Sequence, residues 1–127
     1  MELFLTPIHQ KILNVINQSG VVVIVNEHPV CYNDKYDGYF ITTKDPLNKS
    51  NSDELVICFD TIKKNYYGWI DELNRTIAHE AIHVAQECKY DDGYIRPLGF
   101  RKDKESEAFA VQDNPKEVLR IVEKYCL

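Results

Sequence analysis

No feature constrains this chain more than the order His79-Glu80-Ala81-Ile82-His83, because it makes chemical sense in only one kind of secondary structure. In an α-helix, residues four apart lie one turn apart on the same face. Two imidazoles so spaced converge on a single tetrahedral metal ion at roughly 2.0–2.1 Å each. Glu80 is rotated about 100° from His79, away from the shared point but within reach of a water held there. The spacing therefore assigns His79 and His83 as metal ligands and Glu80 as a proton acceptor. A shuffled chain with the same His and Glu content contains H-E-x-x-H about once in a hundred, so coincidence explains it poorly. Around the motif, Ile70, Leu73, Ile77, Ala81, Val84 and Cys88 recur every three or four positions. That apolar stripe predicts a helix over about 71–89, with Asp71 as N-cap, that buries one side and turns its histidines to the other.

With 127 residues and 44% hydrophobic composition the chain is long enough for one core and too short for two ordinary domains, so a single domain over 1–127 is expected. A formal net charge of −5, without any long Lys/Arg stripe, argues against a nucleic-acid surface, which needs concentrated positive charge. Arg101-Lys102-Asp103-Lys104 reads as a solvated loop. The longest apolar run outside the motif helix, Val21–Val25, is far below the roughly 20 residues that cross a bilayer. The first residues, Met1-Glu2-Leu3-Phe4-Leu5, carry an acid where an export signal carries positive charge. These features predict a soluble, cytoplasmic protein with no membrane or nucleic-acid partner. Cys31, Cys58, Cys88 and Cys126 form no C-x-x-C pair and are expected to be reduced, buried small apolar residues of an intracellular protein.

Thr6-Pro7 is an N-cap followed by proline at the first helical position, and Ile8, Ile12, Val15 and Ile16 continue a helix that closes near Ser19-Gly20. The β-branched run Val21–Val25 predicts a buried strand, and Tyr39–Thr43 and Leu55–Phe59 are further strands. A short helix closed by Gly68 precedes the motif helix. The glycines and proline of residues 91–103 predict a loop. Two more helices follow, one carrying Glu105, Ala108 and Phe109, the other opening at the capping box Asn114-Pro115-Lys116-Glu117.

A catalytic zinc takes three protein ligands and leaves its fourth position to water. The extension H-x-x-G-x-x-H would supply the third, but Gln86 and Lys89 stand where it needs glycine and histidine. A carboxylate on the following helix is the alternative, and Glu105 and Glu107, 22 and 24 residues past His83, both qualify.

At these residues the chain resembles the zincin metallopeptidases, in particular the gluzincin arm, and within it the short ImmA-like, repressor-cleaving and the CAAX-processing metallopeptidases. There the glutamate ligand opens the pattern E-x-x-A followed by Asp or Asn, which maps onto Glu105-Ser106-Glu107-Ala108-Phe109 and chooses Glu105 over Glu107. Phe109 departs from the pattern, since the family's polar residue there hydrogen-bonds a ligand histidine. The resemblance covers about residues 55–112. It implies an α+β fold, with a small mixed β-sheet, the H-E-x-x-H helix packed on it and the ligand helix behind. It also implies Zn2+ on His79, His83 and Glu105, and hydrolysis of a peptide or protein substrate with Glu80 as general base. Leu55–Phe59 is the candidate sheet edge for an extended peptide, a central core strand being the alternative. Tyr94 and Arg96, on the loop between the ligand helices, are the candidate oxyanion donors. Two other functions fit the same residues: a catalytically inactive zinc-binding module, and a dedicated regulatory protease or toxin acting on one protein partner.

Overall fold

The computed structural model describes residues 1–127 and is built around helix α3, Trp69–Tyr90, which carries the motif. This helix starts two residues before the expected range. Trp69 packs edge-on against Phe4 at 4.8 Å and Phe59 at 5.9 Å between ring centroids, and that packing recruits the extra residues. Gly68 is the N-cap, with no side-chain hydrogen bond. Asp71, expected as the cap, lies instead in the first turn with Glu72, where carboxylates interact favourably with the helix dipole. Leu73, Ile77, Ala81 and Val84 are fully buried, but Ile70 is 44% exposed, so the apolar stripe begins one turn later than its spacing suggests.

Two helices bury that stripe. Helix α1 (Pro7–Gln18) is capped by Thr6, whose hydroxyl accepts the His9 N–H, and α5 (Pro115–Cys126) by Asn114, which accepts the Glu117 N–H. Ile12 and Ile16 from α1 and Val118 and Val122 from α5 join α3 in one core of 21 buried residues. Each fully buried Ile or Leu contributes about 1.5–3 kcal/mol, so this helical layer fixes the position of α3.

The other side of α3 faces a sheet of β1 (Val22–Val25), β2 (Gly38–Ile41) and β3 (Glu54–Ile57) in the order β1-β3-β2. Strand β3 pairs in parallel with β1 and antiparallel with β2. It is therefore the central strand and not the edge expected to receive a peptide. Leu55, Val56 and Ile57 are all fully buried, as a strand covered on both faces and paired on both sides requires. The free edge beside α3 belongs to β2. Helix α2 (Phe59–Asn65) follows β3, and α4 (Lys104–Val111), capped by Asp103, lies against α3. The architecture is α+β with a small mixed sheet.

The cysteines overturn the expectation of free thiols. Cys31 bonds Cys58 and Cys88 bonds Cys126, with Cα–Cα distances of 5.3 and 5.2 Å, and no thiol is left free. The partners are 27 and 38 residues apart, so their proximity arises only when the end of β3 meets the turn at Pro29–Cys31 and when the last turns of α3 and α5 meet. No helix is long and apolar enough to cross a membrane.

Candidate metal centre

The imidazoles of His79 and His83 stand 5.1 Å apart between ring centroids on the cleft side of α3. His79 Nδ1 lies 2.8 Å from Gln112 Oε1, and His83 Nδ1 lies 2.8 Å from Gln86 Oε1. An amide oxygen only accepts hydrogen bonds, so each Nδ1 carries the proton and each Nε2 presents a lone pair. Both Nε2 atoms point at Glu105 on α4, whose Oε1 is 2.6 Å from that of His83 and 3.2 Å from that of His79. Ligand atoms sharing a tetrahedral ion with bonds of this kind sit about 3.4 Å apart. The His79 distance already fits, while the His83 distance is shorter than two ligands of one ion keep. Glu105 has a half-exposed side chain that is free to withdraw. Two imidazole nitrogens and a carboxylate are a donor set that zinc and other first-row divalent ions accept, so the residues present fit such an ion.

Glu80 completes the cluster, with donor atoms of His79, Glu80 and His83 all within 4.8 Å of one another. Its carboxyl is only 9% exposed and is pushed up to about 8, chiefly by burial and then by the charge of Glu105, against an opposing backbone N–H from Phe40. Burial also holds His83 below the usual histidine range, outweighing the hydrogen bond that its ring donates to Gln86 and the charge of Glu105, and so favours the neutral ring that binds metal.

Strand β2 runs directly past this cluster, and Gly38 makes the approach possible. A Cβ at that position would lie 2.8 Å from Thr76 Cγ2 and 3.2 Å from Glu80 Cγ. The Cys58 N–H donates to Asp37 O, so in the antiparallel pair Tyr39 and Ile41 bond to β3, while Gly38 and Phe40 turn their backbone groups to the free edge. Along that edge lies a cleft of about 300 Å³ lined by Tyr36, Tyr39, His83 and Glu105. It adjoins, at Gly38 and Glu80, a second cleft of about 190 Å³ that passes His79, Phe109 and Gln112. The cluster of His79, Glu80, His83 and Glu105 thus sits at the middle of a groove.

The remaining predicted residues fall elsewhere. Glu107, the alternative ligand, is fully buried, and its oxygens are occupied by the backbone N–H groups of residues 98–101 and by the Gln86 amide, so it faces away from the histidines. Burial pushes its carboxyl up, but the N–H groups of Leu98 and Gly99 and the Gln86 amide together hold it below the usual range. Arg96 pairs with Asp92 and stacks 4.7 Å over Tyr90, and Tyr94 is 62% exposed beneath Lys44. Neither lines the groove at the cluster, because the loop residue that turns inward is Ile95. Phe109 sits with its ring 4.8 Å from His79, and Gln112, three residues on, makes the polar contact to that histidine instead. Gln86, one turn past His83 on the same face, was discoverable from helical spacing. Gln112, Gly38 and Tyr39 carried no such signal.

A family model described as a domain of unknown function (DUF8637) matches residues 2–102, a span that includes His79, Glu80 and His83 and ends before α4. No curated protein and no solved structure has significant similarity to the chain.

Proposed function

The chain belongs to the DUF8637 family, and we propose from its metal centre that it is a zinc-dependent metallopeptidase cleaving a peptide or protein substrate. The observation that carries the reading is the convergence of two Nε2 lone pairs and Glu105 Oε1 beside a buried carboxylate. Zinc held by His79, His83 and Glu105 supplies the Lewis acidity that amide hydrolysis needs. Glu80, one residue past a ligand and facing the same space, accepts the proton of the attacking water and returns it to the leaving amine. On the free edge of β2 the backbone groups of Gly38 and the carbonyl of Phe40, whose N–H faces Glu80, offer an extended peptide a strand to pair with. A metal-binding module without turnover has no use for Glu80, whose burial in ionised form costs free energy; this favours catalysis over the non-catalytic alternative. Two disulfides favour an oxidising compartment over the cytoplasmic location expected from the sequence.

The test pairs metal analysis with a peptide library read by mass spectrometry. The reading expects about one zinc per chain, lost in His83→Ala, and cleavage that disappears in Glu80→Gln. Full zinc content with no cleaved peptide, from the library or from denatured casein, would leave the non-catalytic module or a protease dedicated to a single partner.

A further inference from the structure

We infer that Glu107 is a positioning residue that decides which nitrogen of His83 carries the proton, acting through Gln86. Glu107 is completely buried on α4. Its Oε1 accepts the Leu98 N–H at 2.6 Å and the Gln86 Nε2 at 2.9 Å. Its Oε2 accepts the N–H groups of Gly99, Phe100 and Arg101 at 2.6, 3.0 and 3.3 Å. Gln86 is also completely buried, and its amide nitrogen has two hydrogens to place. One goes to Glu107 Oε1 and the other to the carbonyl of Lys104 at 3.1 Å.

With both hydrogens committed, the atom left facing His83 Nδ1 at 2.8 Å is the amide oxygen. A flipped amide would set that oxygen against two acceptors and its NH2 against the ring. The two acceptors therefore force His83 into the Nδ1–H tautomer, which leaves the Nε2 lone pair toward Glu105. Only a carboxylate suits position 107, because five donors arrive on two oxygens. The same group ties the loop at 98–101 to α4, so loop closure and the state of His83 share one anchor. The tautomer concerns His83 with or without an ion; its effect on metal affinity rests on the reading of His79, His83 and Glu105 as ligands.

The experiment uses long-range ¹H–¹⁵N correlation spectra of metal-free, histidine-labelled protein at a pH where the imidazoles are neutral, with zinc affinity measured alongside. Wild type should show His83 protonated at Nδ1. In Glu107→Gln the new amide is drawn with its oxygen toward the three loop donors at Oε2 and its NH2 toward Gln86, which favours a flip of Gln86. His83 should shift toward Nε2–H, and zinc affinity should fall roughly tenfold or more. Gln86→Leu removes the relay while sparing the four loop contacts of Glu107. It should give a mixture of tautomers with unchanged amide exchange at residues 98–101, and it decides the matter alone if Glu107→Gln does not fold. A wild-type His83 protonated at Nε2, or Nδ1–H retained in both folded variants, overturns the inference. Glu105→Gln serves as the separate control: it should weaken zinc binding without changing the tautomer, and unchanged affinity there overturns the ligand assignment and not the relay.

Discussion

Burying the carboxyl of Glu80 in a groove that also holds Glu105 makes its ionisation costly, and that cost has two measurable consequences. Catalytically, Glu80→Gln should keep the metal content of wild type and lower turnover by about 10²–10⁴-fold, because it removes the proton acceptor without removing a ligand. Thermodynamically, the folded value of about 8 lies above the ordinary 4.5, so the folded chain binds the proton more tightly than the unfolded one. The contribution of Glu80 is then fully favourable at pH below about 4.5 and is lost as pH rises through about 8. Urea unfolding of chelator-treated protein across that window should show wild type losing a few kcal/mol relative to Glu80→Gln. Parallel profiles for the two proteins would mean that Glu80 is solvated in the metal-free fold. At this scale the motif was legible because its spacing is local. Of the two glutamines that hold the histidines, Gln86 shares that local spacing, whereas Gln112 does not, because it reaches His79 across 33 residues from the C-terminal end of α4.

The relation between β2 and α3 is the element-scale feature on which the groove depends. Gly38→Ala places a methyl group against Thr76 and the stem of Glu80, forcing the strand outward. The expected cost is about 1–3 kcal/mol of stability, together with loss of peptide cleavage while the zinc stoichiometry is retained. Denaturant melts and metal analysis of the one variant check both. A second element-scale tie joins the last turns of α3 and α5 through Cys88–Cys126. Cys126→Ser should lower stability by about 2–4 kcal/mol, read from the shift in urea midpoint under non-reducing conditions. Helices capped by adjacent residues, such as Thr6-Pro7 and Asn114-Pro115, were readable from the sequence to the residue. The placement of β3 was not, because a run of apolar residues marks burial without saying which strands lie on either side.

For the molecule as a whole, an ion that binds only the folded chain links stability to metal concentration. Zinc at about 100 times its dissociation constant should add about 2.7 kcal/mol to unfolding, and a chelator should remove it. Thermal melts with and without chelator measure that increment, and His83→Ala should show none of it. Thiol titration under denaturing, non-reducing conditions should find no free cysteine, against four after reduction. What the sequence alone determined was whatever depends on neighbours along the chain: the motif helix and its two faces, the caps at Thr6 and Asn114, the loop at 91–103, and the residue types able to hold an ion. Tertiary structure supplied the geometry behind the choice of Glu105 over Glu107 that the resemblance implied, two positions apart on one short helix, since only the packing of α4 against α3 turns one to the histidines and the other to the backbone of residues 98–101. It also decided the strand order, the two disulfides and the eclipse of Tyr94 and Arg96 by Ile95. Each of these is a contact between segments distant in the chain, and such contacts are set by how whole faces bury one another rather than by any local pattern.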